Sequence, residues 1–325
     1  LKKREETALT QSAQIADSKI IDAPTRKGLV SPNRSRIQML FLIAGLFFPT
    51  LIIYLIEITD SYVYNKKDIQ AITEIPFLGI INHTKEQNKI IIQPNVRKAI
   101  VERFHLLRTN ISYLISNNQQ PSKAILLTSG ESGEGKTFIS INLGASFAIS
   151  EAKTLLIGMD LRKPRLSTYL NIDNNKGVSN FLAGTESNID NLIQPYEEIS
   201  NLFVLPSGPV PPNPTALLDS SRMEELFEIL KQKFEFIIID TPPIGLVTDA
   251  FIISKYVLSS VLVIRFKKTP KQQVQNFQEF YEDKKLPNMG IIFNDVKKIR
   301  RQGYGYGYGY YENEGKKWWQ FWSSK

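Results

Sequence analysis

Cysteine is absent from the 325 residues, which excludes a disulfide framework and any thiolate metal site. Histidine is almost absent: His83 and His105 are too few and too far apart in sequence to suggest a metal centre. Nothing in the balance signals disorder, since 42% of the residues are hydrophobic and 22% charged. Acidic charge is in deficit, with 40 Lys and Arg against 32 Asp and Glu, a net of +8. That excess suits polyanions such as nucleotides, anionic lipid or acidic polysaccharide without choosing among them. No recognisable helix pair or finger supports nucleic-acid binding, and none is expected. The chain opens on Leu1 rather than Met, so an N-terminal part is expected to be missing.

A second absence is local. Ile37 to Ile56 carries no charge. At about 1.5 Å per residue such a run spans a hydrocarbon core of roughly 30 Å, which predicts one transmembrane helix over residues 36–58. Pro49 is tolerated there. Residues 1–35 are expected as an extracytoplasmic, membrane-proximal segment. Arg26, Lys27, Arg34 and Arg36 before the span would argue for a cytosolic N-terminal flank. A nucleotide motif beyond the span requires the opposite, because nucleotide is cytosolic, and an upstream span can fix topology first.

Residues 59–95 are expected as a cytosolic connector, with a short segment around Ile75–Ile81 and a strand at Lys89–Ile92. A helix near Val96–Ser116 follows. Thereafter apolar runs alternate with helical stretches. Strands are predicted at Ala124–Thr128, Thr154–Met159, Leu202–Leu205, Phe236–Ile239, Ser260–Arg265 and Gly290–Phe293. Helices are predicted at Lys136–Ser150, Ser221–Lys233 and Lys271–Lys284. Short, continuously apolar strands between helices imply an α/β fold with a mostly parallel sheet covered on both faces.

Gly130-Glu131-Ser132-Gly133-Glu134-Gly135-Lys136-Thr137 matches the phosphate-binding pattern G-x-x-x-x-G-K-[ST] between a strand and a helix. Its glycines let backbone N–H groups curl round phosphate oxygens at a helix N-terminus. Gly130, Gly133, Glu134, Gly135, Lys136, Thr137 and Phe138 are therefore candidate nucleotide ligands. Lys136 would meet the β- and γ-phosphates, and the Thr137 hydroxyl would join Mg²⁺. Asp240 ends the run F-I-I-I-D, where a carboxylate can hold Mg²⁺; the alternative is a solvated strand end. Asp160 follows T-L-L-I-G-M and would face the crevice at the strand ends. It is a candidate metal contact or acceptor of a hydroxyl proton, with a helix cap or an ion pair to Arg162 as the alternative.

These three motifs, G-E-S-G-E-G-K-T, L-L-I-G-M-D-L-R and I-I-I-D-T-P-P, together resemble the bacterial tyrosine kinases, cytoplasmic partners of polysaccharide co-polymerases. Leu205–Ser220 resembles that family's Pro-Asn-Pro segment, and the flank D-A-P-T-R-K-G-L-V-S-P-N-R-S-R resembles the approach to the co-polymerase's second membrane helix. The resemblance implies a P-loop fold like the septum-site and plasmid-partition ATPases over residues 96–300, in the cytoplasm at a bacterial inner membrane. It implies catalysis with ATP and Mg²⁺ through Lys136, Asp160 and Asp240, and an adenine contact from Asn294. It also implies a ring of copies phosphorylating one another's tails, a phosphotyrosine phosphatase, and a role in polysaccharide polymerisation and export. Two departures stand out. The family's D-x-D triplet has Gly158 in its first place, leaving Asp160. In its oligomer-forming E-x-x-R-x-x-R pattern, Glu102 and Arg108 match but His105 replaces the first Arg, predicting a weaker, pH-sensitive contact.

Residues 301–325 begin with low-complexity Gly-Tyr repeats. Tyr304, Tyr306, Tyr308, Tyr310 and Tyr311 are the expected phosphoacceptors. Lys316-Lys317-Trp318-Trp319-Gln320-Phe321-Trp322 suits either an anionic membrane surface or a protein partner. The leading expectation is a membrane-anchored tyrosine autokinase. Its alternative is a nucleotide-switched scaffold whose phosphotransfer went with the missing carboxylate. A partition-type ATPase fits neither the span nor the tail.

Overall fold

Runs of β-branched and aliphatic residues bounded by turns form the strands of this protein, and the longer polar-apolar mixtures between them form its helices. The computed structural model describes residues 33–59, 61–84, 90–93, 98–116, 118 and 120–297. Contacts divide the chain into two units, Leu1–Asp60 and Ser61–Lys325.

In the first unit, α1 (Arg34–Thr59) is continuous through Pro49. The adjacent Thr50 hydroxyl donates 2.7 Å to the Leu46 carbonyl, an internal bond that suits a helix interior without water. Its stretch Arg34–Leu55 is long and apolar enough to cross a membrane and buries nothing within the protein.

In the second unit the strands are β1 (Phe77–Asn82), β2 (Lys123–Ser129), β3 (Thr154–Gly158), β4 (Gln194–Pro195), β5 (Leu202–Leu205), β6 (Phe236–Asp240), β7 (Ser259–Arg265) and β8 (Met289–Val296). Between them run α2 (Lys66–Ile72), α3 (Ala99–Leu114), α4 (Lys136–Ile149), α5 (Leu166–Leu170), α6 (Val178–Leu182), α7 (Pro214–Leu218), α8 (Ser221–Lys233), α9 (Asp249–Ser254) and α10 (Lys271–Glu282). The sheet order is β1-β8-β7-β2-β6-β3-β5-β4, parallel except for the β4–β5 pair. Side-chain alternation assigns each strand to two cores. Ala124, Leu126, Ile237 and Ile239 join the core that includes Leu226 and Phe277, while Ile125, Leu127, Phe236 and Ile238 join that of Phe104 and Leu143. Both faces are thus dry, which explains why the strands read as unbroken apolar runs.

The expected connector is part of this unit. Val63 is fully buried, its N–H bonds the Thr269 carbonyl, and β1 adds an edge strand beside β8. The domain therefore begins at Ser61 rather than residue 96. The expected strand at Lys89–Ile92 is not formed: Lys89 lies outside the described residues, and Ile90–Gln93 are irregular. Their backbone is satisfied by a side chain instead, with Asn142 Oδ1 accepting from the Ile91 N–H at 2.8 Å.

Candidate active site

Strand β2 delivers the phosphate loop to the C-terminal edge of the sheet, the usual ligand crevice of an open parallel sheet. Gly133 and Gly135 turn there with φ of +82° and +98°, a region that favours glycine. Gly135 caps α4, so the first free N–H groups of that helix point out of the loop. A cavity of about 650 Å³ opens beside it, lined by Gly133, Gly135, Lys136, Thr137 and Phe138. Phe138 also packs edge-on against Phe104.

Parallel strands place the carboxylates. Asp240 ends β6 next to β2 and is buried. Its carboxylate accepts from the Thr137 hydroxyl at 2.7 Å and from the Ser140 hydroxyl at 3.2 Å. Burial pushes its pKa up to about 6, while the Lys136 ammonium and the two hydroxyls oppose that rise. Asp160, two residues beyond β3, lines the same cavity. Its carboxylate accepts from the backbone N–H groups of Arg162 and Lys163 at 3.3 and 3.0 Å. These bonds close a local turn rather than cap a helix, since the next helix, α5, starts at Leu166 with Arg165 before it.

Among the described residues no cluster of three or more His, Asp or Glu could hold a metal alone. A divalent ion that keeps waters and takes substrate phosphate oxygens needs only one or two protein carboxylates. The Thr137–Asp240 pair beside a phosphate-shaped cradle has that chemistry, so the residues fit Mg²⁺ with a nucleotide.

Gly158 stands opposite Asp240 in the β3–β6 register. A Cβ there would lie 2.6 Å from the Ser207 hydroxyl and 3.2 Å from the Ser207 backbone nitrogen. The missing carboxylate is therefore accompanied by closer packing of the loop after β5.

On the β7–β8 side the expected residues are engaged by structure. The Asn294 amide donates to the Glu134 carbonyl at 2.9 Å, holding the loop while lining the cavity. The Glu134 side chain turns inward, accepting from the Glu131 N–H at 2.9 Å and from the Thr269 hydroxyl. Burial raises its pKa. Only its backbone is available to phosphate. Sequence reasoning missed the charges beside them. Arg265 donates to Asp295 at 2.7 Å and to the Gly133 carbonyl at 2.5 Å, and His83 Nδ1 lies 2.5 Å from the other Asp295 oxygen. Their only sequence signal was polarity at the ends of apolar strands.

On the β3 side Arg162 pairs not with Asp160 but with Asp249 of α9, at 2.9 and 3.2 Å, and with the Thr215 hydroxyl at 2.7 Å. Asp249 is fully buried. Lys163 and Arg165 also line the cavity and have no ion-pair partner among the described residues.

Of the expected oligomer residues, Glu102 is exposed on α3, whereas Arg108 donates within its own chain to the Ser146 carbonyl at 2.7 Å. His105 Nδ1 lies 3.1 Å from the Ser146 hydroxyl. Burial, then the Arg108 charge, lowers its pKa, which favours the neutral ring. The phosphoacceptor residues Tyr304, Tyr306, Tyr308, Tyr310 and Tyr311 lie outside the described residues.

Residues 122–286 match the model of an AAA domain family. The tyrosine-protein kinase CpsD of Streptococcus agalactiae is 38% identical over 63% of this chain and 89% of its own length. The tyrosine-protein kinase wzc of Salmonella typhi is 29% identical over 97% of this chain but 46% of its own length. The chain thus spans less than half of that longer relative. Among solved structures, the kinase domain of the Escherichia coli tyrosine kinase ETK covers 76% of this chain and 100% of itself, with a TM-score of 0.64 and 28% identity.

Proposed function

Because the chain belongs to the bacterial tyrosine-protein kinases, we propose that it transfers phosphate from Mg-ATP to the tyrosines of its own tail at the cavity described above. The observation that carries this reading is the meeting of Lys136, the Thr137–Asp240 pair and Asp160 at one cavity. Bound Mg-ATP supplies the phosphoryl group and charge neutralisation. The P-loop N–H groups and Lys136 hold the phosphates, and Thr137 and Asp240 hold the metal. The phenol oxygen of a tail tyrosine bonds to the γ-phosphorus while ADP leaves with the electrons of the broken bond. Asp160 receives the phenolic proton, its carboxylate kept oriented by the two backbone N–H groups.

Tyr304, Tyr306, Tyr308, Tyr310 and Tyr311 are the acceptors, presented by a second copy within a ring that uses the exposed Glu102 and the α3 surface. The apolar helix α1 anchors the chain in a bacterial inner membrane with residues 61–325 in the cytoplasm. There the cycle of phosphorylation, reversed by a phosphotyrosine phosphatase, regulates the machinery that polymerises and exports a capsule or exopolysaccharide. The relatives named as tyrosine-protein kinases support the chemistry. Gly158 favours a second reading, a nucleotide-switched scaffold with weak transfer, because it stands opposite Asp240 without a carboxylate and packs closely against Ser207.

Mass-spectrometric mapping after incubation with Mg-ATP separates the two. Phosphotyrosine in the wild-type tail that is absent from Lys136→Met supports the kinase. Bound ATP with unmodified tyrosines supports the scaffold.

A further inference from the structure

We infer that the acceptor side of the cavity prefers a tail that already carries phosphate, so that phosphorylation of one tyrosine promotes that of its neighbours. The inference rests on the kinase reading and concerns what the β3 side recognises.

Three features line the one cavity. Asp160 is the base candidate, and the Lys163 N–H donates to it at 3.0 Å, which roots the Lys163 side chain beside the acceptor position. Lys163 and Arg165 are both exposed on the cavity wall. The two other arginines of the wall are answered: Arg162 by buried Asp249, and Arg265 by Asp295. Lys163 and Arg165 have no such partner among the described residues. The third feature is apolar. Leu246 is 64% exposed in the loop after β6, and it lines the same cavity with Pro243 and Val247. Apolar lining, a carboxylate and two cations unpaired among the described residues suit a phenol ring with an anion close by.

The tail has the complementary chemistry. Between Gly303 and Gly315 it contains no basic residue, and Glu312 and Glu314 follow the last tyrosine. Tyrosines two apart share a face in an extended chain, at about 7 Å spacing. With one phenol at Asp160, the phosphate on the next tyrosine falls within reach of flexible Lys and Arg side chains. That phosphate carries about −1.5 to −2 charges and three strong acceptor oxygens, where the unmodified phenol is neutral.

The test uses the full chain with Tyr304→Phe, Tyr306→Phe, Tyr308→Phe, Tyr310→Phe and Tyr311→Phe, so that added peptide is the acceptor. Peptides of the Gly303–Gly315 sequence are supplied unmodified or with phosphate on the residue corresponding to Tyr310. The expected result is a KM about tenfold lower for the primed peptide, with kcat changed little, as two partly screened charge contacts would give. The Lys163→Gln/Arg165→Gln variant should reduce the ratio to about twofold or less, and Lys163→Glu/Arg165→Glu should invert it. Equal use of both peptides overturns the inference and leaves the kinase reading standing. A preference that survives charge removal also overturns it, since the phosphate would then be read elsewhere. Failure to phosphorylate either peptide overturns both the inference and the kinase reading.

Discussion

The two sides of the nucleotide cavity are built on different terms. Toward β7 and β8, the charges that line the cavity are paired before any ligand arrives: Arg265 and His83 share Asp295, Arg265 also clamps Gly133, and Asn294 and Thr269 tie down Glu134. Toward β3, one arginine is locked to a buried aspartate, while Asp160, Lys163 and Arg165 face the cavity with charge to spare. The first arrangement pre-forms a loop that must fit one constant ligand. The second leaves charge for a variable ligand to answer. Preorganised groups cost little at the moment of binding, whereas unanswered surface cations discriminate between charged and uncharged partners.

The largest break of this contrast comes from its shared centre. Lys136→Met should lower tail phosphorylation by about 10²–10³, the scale of losing one group aimed at developing charge. Rates of phosphotyrosine formation would check it, and a rate within tenfold of wild type would deny Lys136 that role.

On the β3 side, Arg162→Gln leaves the buried Asp249 carboxylate without its cation. A loss of about 2–3 kcal/mol is expected by chemical denaturation, less than for a fully buried pair because Arg162 is partly exposed. Unchanged stability would mean that Asp249 finds another donor.

Gly158→Asp tests whether the absent carboxylate can simply be restored. The new Cβ meets Ser207, and the new charge faces Asp240, whose burial already raises its pKa to about 6. Without metal the variant should lose about 1–2 kcal/mol. Mg-ATP should recover more thermal stability in the variant than in the wild type. A metal-free variant as stable as wild type would show that the loop after β5 yields easily.

The smallest effect is a pH dependence on α3, away from the cavity. His105 has a folded-state pKa below its unfolded value because burial and Arg108 disfavour its charge. Its stability contribution is present above about pH 6.5 and is lost as pH falls through the lowered folded value. His105→Gln should flatten the melting-temperature difference between pH 7.5 and 5.5. An identical difference in the variant would assign it to other groups.

On both sides of the cavity the sequence revealed what is local and hid what pairs across long separations. Leu202–Leu205 and Ser221–Lys233 were legible to the residue, because their apolar patterns are local and both faces of the sheet are buried. The phosphate loop and Asp240 were legible too, since a strand, a glycine turn and a helix follow each other within a few residues. The short strand β1 was not recognised as part of the domain: its partner β8 lies about two hundred residues away, and pairing at that distance leaves no local mark. The same holds for His83 with Asp295 and Arg162 with Asp249, separated by 212 and 87 residues. The run Ile90–Ile92 reads as a strand, yet its backbone bonds the Asn142 side chain, an override that only tertiary packing decides.

The most direct test mixes two forms of this chain with Mg-ATP. The Lys136→Met form keeps its tail tyrosines and serves only as acceptor. The other keeps Lys136 and carries Phe at positions 304, 306, 308, 310 and 311, so it serves only as donor. Tandem mass spectrometry should find phosphate on Tyr304 to Tyr311 of the acceptor when both are present, and none when it stands alone. An acceptor tail that stays unmodified beside an ATP-binding donor would contradict transfer between copies at this cavity.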